Sequence, residues 1–70
     1  MGYQEWIAAA LLRRGVVGLN PRHVEAYLRL KFGTLDALSD ADLERELDEI
    51  VPTVRADRNA AEALAQSYGL

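Results

Sequence analysis

The fold class is decided by residues 20–33, whose sequence is NPRHVEAYLRLKFG. Asn20 is a favoured N-cap residue, and Pro21 stands at the first helical position, where its missing N–H costs nothing. The apolar residues that follow recur at the spacing of one helix face. Gly33 is a stop signal of the αL type. These signals predict a helix that begins at Pro21 and is closed by Gly33.

The residues before this stretch predict a first helix from about Tyr3 to Arg14. Apolar side chains recur there at i, i+3, i+4, i+7 and i+8, and between Trp6 and Leu12 the helix is apolar on every side. Gly15 ends it. A helix that is apolar all round is either central in a bundle or covered in part by another molecule.

Two further helices are predicted after residue 33. Ser39 caps a third helix, in which Pro52 interrupts the apolar stripe and either kinks or ends the helix. A fourth begins near Asp57 or Asn59, where Asn59 and Glu62 have the spacing of a capping box, and is closed by Gly69. No segment alternates as a half-buried strand does. The sequence therefore predicts an all-α fold, a compact bundle of four short helices in one domain that spans residues 1–70.

Composition narrows the classes of function. Half of the 70 residues are apolar and 27% are charged, which is typical of a globular domain. The chain has no cysteine and one histidine, which excludes disulfides and thiolate chemistry and leaves little for acid–base catalysis or metal ligation. We expect no enzyme activity, no cofactor and no metal site. The longest apolar run, residues 6–12, is too short to cross a bilayer, and we expect a cytoplasmic protein without a membrane partner.

Charge is distributed unevenly along the chain. Residues 1–35 carry five basic and two acidic groups, a net +3, and residues 36–70 carry three basic and nine acidic groups, a net −6. The carboxylates of the third helix form a solvated face, an acidic docking surface for a basic protein partner of unknown identity, or a surface that imitates a nucleic-acid backbone. The docking residues would be Asp42, Glu46, Asp48 and Glu49.

The basic residues of the first two helices suggest an alternative function, that of a small DNA-associated regulator. Arginine suits phosphate and guanine contacts, but a pI of about 4.9 and few cations count against DNA binding. The competing interpretation is that these cations neutralise the protein's own acidic half, and that the histidine is a surface or capping residue. The nucleic-acid surface would comprise Arg13, Arg14, Arg22, His23 and Arg29.

Small size and the apolar first helix together predict self-association. A chain of this length buries only about 60–65% of the surface that its unfolded form exposes, so small proteins often recruit a second subunit. We expect a homo-oligomer, most simply a dimer, although the same aromatic residues would also serve as core. The predicted interface residues are Tyr3, Trp6, Ile7 and Leu12.

Three segments carry a resemblance: PRHVEAYLRL at 21–30, GTLDALS at 33–39 and ALAQSYGL at 63–70. Over residues 19–70 the chain resembles a group of short uncharacterised bacterial proteins that are often encoded in prophages and other mobile elements. No activity, ligand or functional residue comes with that resemblance. What it implies is a setting in which small proteins act by binding a host or phage component. The leading hypothesis is a non-enzymatic helical interaction module that self-associates.

Overall fold

Four α-helices build the protein. The computed structural model describes residues 2–70, and those residues form α1 (Tyr3–Arg13), α2 (Pro21–Phe32), α3 (Asp40–Ala56) and α4 (Arg58–Ser67), with no strand among them. The predicted all-α bundle of four short helices is confirmed.

Local capping explains where the helices begin. The side chain of Asn20 accepts a hydrogen bond from a first-turn backbone N–H of α2 at 3.0 Å. Ser39 and Asp42 form a capping box at α3, in which each side chain accepts from the other's backbone N–H, at 3.1 and 3.2 Å. Asp57 caps α4 by accepting from Ala60 N–H at 3.0 Å. Of the two predicted starts of the fourth helix, the one at Asp57 is therefore correct.

Glycines with positive φ end three of the helices. At α1 and α4, Gly15 and Gly69 (φ 71° and 73°) lie within Schellman motifs, in which the next N–H reaches back to a carbonyl in the last helical turn. Gly33 was predicted as an αL cap, and that prediction is wrong. Its φ of 77° and ψ of −62° form a γ-turn, in which Thr34 N–H donates to the Phe32 carbonyl at 2.9 Å.

Pro52 does not end the third helix, because α3 continues to Ala56. Proline removes the hydrogen bond to the Asp48 carbonyl, but burial beyond it favours continuation. Val54 is fully buried, and Thr53 Oγ1 donates to the Glu49 carbonyl at 3.0 Å. Packing therefore outweighs the local preference of proline in this part of the chain.

One apolar core joins all four helices and the 34–39 connection, from which Leu35 is buried. Helix α4 makes most of its interhelical contacts with α2. The two residues that α4 buries completely are both alanines, Ala61 and Ala65. Because alanine has a small side chain, the backbones of α2 and α4 can approach closely. The largest fully buried side chains are Ile7, Leu28, Leu35, Leu43, Leu47, Val24 and Val54.

Candidate functional site

The predicted interface on α1 is divided by the fold. Ile7 is completely buried in the core, so its assignment as an interface residue is wrong. It lies on the inner stripe of α1 with Ala10 and Leu11, and that stripe packs against the core of the same chain. Leu12 points the other way and is 75% exposed. Only part of the apolar surface that surrounds α1 between Trp6 and Leu12 therefore faces solvent.

Tyr3 and Trp6 are half-buried and tie α1 to the start of α3. The Tyr3 hydroxyl donates to the Asp36 carboxylate, and Trp6 Nε1 donates to Asp40 Oδ1 at 2.5 Å. The two ring centroids lie 6.3 Å apart, with the ring planes inclined by 55°. An open pocket of about 410 Å³ lies between the rings and the 35–40 segment. These two aromatic residues thus pack against the core and also line a surface pocket.

The four predicted docking carboxylates each contact a cation of the same chain. Asp48 pairs with Arg14, and Asp42 pairs with Arg45. Lys31 Nζ lies between Glu46 and Glu49, at 2.7 and 2.9 Å from their carboxylates, and these hydrogen bonds raise the pKa of Lys31. Side-chain exposure separates the four residues: Glu46 is 14% exposed, Asp42 36%, Asp48 65% and Glu49 74%. Asp48 and Glu49 are thus the accessible members.

The predicted nucleic-acid residues fall into three separate ion-pair clusters. Arg13 and Arg14 both contact the Glu44 carboxylate, at 2.9 and 3.4 Å, and the hydrogen bond from Arg13 is the main reason that the pKa of Glu44 is lowered. Arg29 contacts the buried carboxylate of Glu25, one turn earlier on α2, at 2.8 Å. The Glu44 cluster agrees with the interpretation that the basic half of the chain neutralises the acidic half, whereas Arg29 and Glu25 both belong to residues 1–35.

The third cluster joins α2 to α4. Arg22 donates from both terminal nitrogens to the two oxygens of Glu62, at 2.7 and 2.9 Å, and Nη2 also donates to the Leu70 carbonyl at 2.5 Å. His23 Nε2 lies 3.0 Å from the same carboxylate. These hydrogen bonds, that from Arg22 first, lower the pKa of Glu62 to about 2. His23 is 9% exposed, so its interpretation as a surface residue is wrong.

Glu62 is a residue whose role the sequence suggested wrongly. Its spacing from Asn59 fits a capping box, but α4 begins one residue before Asn59, and the carboxylate binds α2 instead. A signal for this pairing was present in the sequence, since Arg22 and His23 stand together in the first turn of α2 without an acidic residue in that turn.

A groove of about 530 Å³ lies between α2 and α3, and no pattern in the sequence predicted it. Its walls are Tyr27, Leu30, Ile50, Pro52 and Thr53, and its rim carries Lys31, Asp48 and Glu49. We refer to these eight residues as the α2–α3 groove. Leu30 is 60% exposed at its edge. The groove therefore combines an apolar lining with a charged rim.

No protein-family model, curated protein or solved structure matches this chain. Among residues 2–70, no helix combines the length and the apolar character that crossing a bilayer requires. In the same range, no three histidine or carboxylate side chains gather as a metal site would require. The chemistry of the surface is therefore what bears on function.

Proposed function

We propose that this protein is a non-enzymatic interaction module that self-associates, with a second copy of the chain bound at the α2–α3 groove. The observation that carries the proposal is Leu30, which leaves 60% of its surface in solvent beside an apolar groove of about 530 Å³. Burying the exposed part of this side chain in a matching groove is favourable by about 1–2 kcal/mol. A two-fold axis would satisfy both copies at once, because each would present the same groove and the same leucine.

Charge complementarity along α3 supports a second copy as the occupant. Arg55 has no ion-pair partner among residues 2–70, whereas Glu49, 74% exposed, stands at the rim of the groove. The two residues lie three positions on either side of Pro52. In an antiparallel α3 pair centred on Pro52, Glu49 of each copy therefore faces Arg55 of the other, and both ion pairs form across the axis.

The area that a stable dimer requires sets the extent of the contact. A standard interface takes about 800 Å² from each partner, which is about a fifth of the 4124 Å² surface of this chain. The groove must therefore be joined by the outer face of α3 as far as Arg55. We include in the proposal the prophage-type setting that the resemblance of residues 19–70 implies, and the cytoplasmic location expected from the short apolar run.

Sedimentation velocity at micromolar concentration tests the proposal with two matched leucine variants. Wild type should sediment at twice the 7.8 kDa chain mass. Leu30→Glu should raise the dimer dissociation constant by about tenfold or more, because a charge would enter the groove. Leu12→Glu alters a leucine that is 75% exposed but outside the groove and should leave the constant unchanged. A monomeric wild type, or a dimer broken by Leu12→Glu and not by Leu30→Glu, would overturn the proposal.

A charge exchange locates the two-fold axis. Glu49→Arg and Arg55→Glu should each weaken the dimer, because like charges then face each other across Pro52, and the double variant should recover most of the loss. Circular dichroism of each variant checks that the helices persist. Failure of the double variant to recover would exclude the antiparallel α3 pair.

A further inference from the structure

We propose that the open pocket between Tyr3 and Trp6 binds an organic cation, an alkyl ammonium or guanidinium group. Its walls are the rings of Tyr3 and Trp6, the side chains of Leu35 and Leu38, and the carboxylates of Asp36 and Asp40. We refer to these six residues as the Tyr3–Trp6 pocket. None of them lines the α2–α3 groove, so this inference stands apart from the proposed self-association.

The distribution of unpaired charge singles out this pocket. Seven of the eleven carboxylates form ion pairs within the chain, and in the described part of the molecule Glu5, Asp36, Asp40 and Asp57 are the others. Asp57 caps α4. Two of the remaining three, Asp36 and Asp40, line the Tyr3–Trp6 pocket, where they accept hydrogen bonds from neutral donors, the Tyr3 hydroxyl and Trp6 Nε1. Within residues 2–70, no cationic side chain therefore forms an ion pair with these two carboxylates of the pocket.

The aromatic walls add a second attraction for cations. The face of an aromatic ring is negative, and a cation within about 6 Å of the ring centroid is held by that quadrupole. Tyr3 already makes such a contact within the molecule, because Cζ of Arg29 lies 5.4 Å from its ring centroid. Trp6, the stronger type of cation–π partner, has its ring inclined by 55° to that of Tyr3, so the pair forms two sides of a cage.

The remaining acceptor capacity of the carboxylates sets the donor requirements of the ligand. An ionised carboxylate offers about four lone-pair sites, and the aromatic donors occupy one on each aspartate. An ammonium or guanidinium N–H can therefore donate to Asp36 and Asp40 while its charge lies against the rings. Leu35 and Leu38 supply an apolar wall for an alkyl stem. The side chain of a lysine or arginine in a protein and a free alkyl amine share this chemistry.

Fluorescence titration tests the site directly, since Trp6 is the only tryptophan of the chain. The probes are n-butylammonium, n-butylguanidinium and an acetylated, amidated Ala-Ala-Arg-Ala-Ala peptide, with n-butanol as the uncharged counterpart. We expect a saturable change with the three cations, at least tenfold weaker binding of butanol, and weaker cation binding at high salt. If the peptide binds more tightly than n-butylguanidinium, the natural ligand is a side chain of a protein. If n-butylguanidinium binds more tightly than the peptide, the natural ligand is a free small cation.

Two aspartate variants and a matched control complete the experiment. Asp36→Asn and Asp40→Asn should each weaken cation binding by about fivefold or more. Glu5→Gln removes an exposed carboxylate that lines neither this pocket nor the α2–α3 groove and should change binding less than twofold. Two variants are used because either substitution alone also alters the bond to an aromatic residue, and circular dichroism checks the fold of both. Equal binding of butanol and n-butylammonium, or unchanged binding in both pocket variants, would overturn the proposal.

Discussion

Helix α2 packs against α4 and α3 in two different ways. On the α4 side the contact is close and is made by small residues, with Ala61 and Ala65 fully buried. Arg22 and Glu62 join the two helices at this contact. On the α3 side the two helices leave a groove of about 530 Å³, and Leu30 stays 60% exposed at its edge.

The comparison shows that α4 packs closely against α2 without completely burying a large apolar side chain of its own. Alanine contributes little apolar area, but it lets two helix backbones approach until their main chains contact. A leucine that finds no matching surface remains in solvent instead. We call the α2–α4 contact the closed side of α2 and the α2–α3 groove its open side. We therefore expect added side-chain volume to destabilise the closed side and to be tolerated on the open side.

The largest effect is expected from adding volume on the closed side. Ala65→Leu should lower the free energy of unfolding by about 1–3 kcal/mol, because extra methylenes in a packed contact force backbone shifts. Ala63→Leu, at an exposed position of the same helix, should stay within about 0.5 kcal/mol of wild type. Urea denaturation measures both. Since alanine and leucine have similar helix propensities, equal losses in the two variants would show that α4 is not closely packed against α2.

A smaller effect of opposite sign is expected on the open side. Pro52→Ala should raise the free energy of unfolding by about 1 kcal/mol: the new N–H can donate to the Asp48 carbonyl, and this gain exceeds the entropy that proline removes from the unfolded chain. Thr53→Ala is the neighbouring control and should change stability by about 0.5 kcal/mol or less. A loss of stability in Pro52→Ala would mean that the ring of Pro52 packs usefully in the groove wall.

The features that the sequence predicted correctly depend on few neighbouring residues. Asn20 and Ser39 cap their helices through hydrogen bonds that span two or three positions, so the pattern contains the whole interaction. Gly15 and Gly69 end helices for the same reason. The opposite charge surplus of the two halves was also visible, because a sum of charges requires no knowledge of which residues contact each other.

The features that the sequence did not predict depend on how the helices cross. Ile7 and Leu12 both belong to the apolar residues 6–12 that surround α1. Only the position of the other helices makes Ile7 buried and Leu12 exposed. Glu62 could cap its own helix or pair with another, and the choice is set by the distance between α2 and α4. The α2–α3 groove is a gap between two elements, so no residue pattern on either element encodes it.

The ion pair between Arg22 and Glu62 makes the stability of the protein depend on pH in acid. The pKa of Glu62 is about 2 in the folded protein, because Arg22 and then His23 hydrogen-bond its carboxylate, against an ordinary value of 4.5. A depressed folded pKa contributes stability that is present above pH 4.5 and is lost as the pH falls from there through about 2. Between these two pH values the Glu62 carboxylate is protonated in the unfolded chain and ionised in the folded protein.

In Glu62→Gln, unfolding near pH 3 should therefore take up about one proton fewer than in wild type. The slope of stability against pH, measured by urea denaturation from pH 2 to 5, gives this number. Glu5→Gln removes an exposed carboxylate outside the closed side and should leave the slope close to that of wild type. An unchanged slope in Glu62→Gln would mean that Arg22 and Glu62 do not hold α2 and α4 together, and that the buried alanines alone account for the closed side.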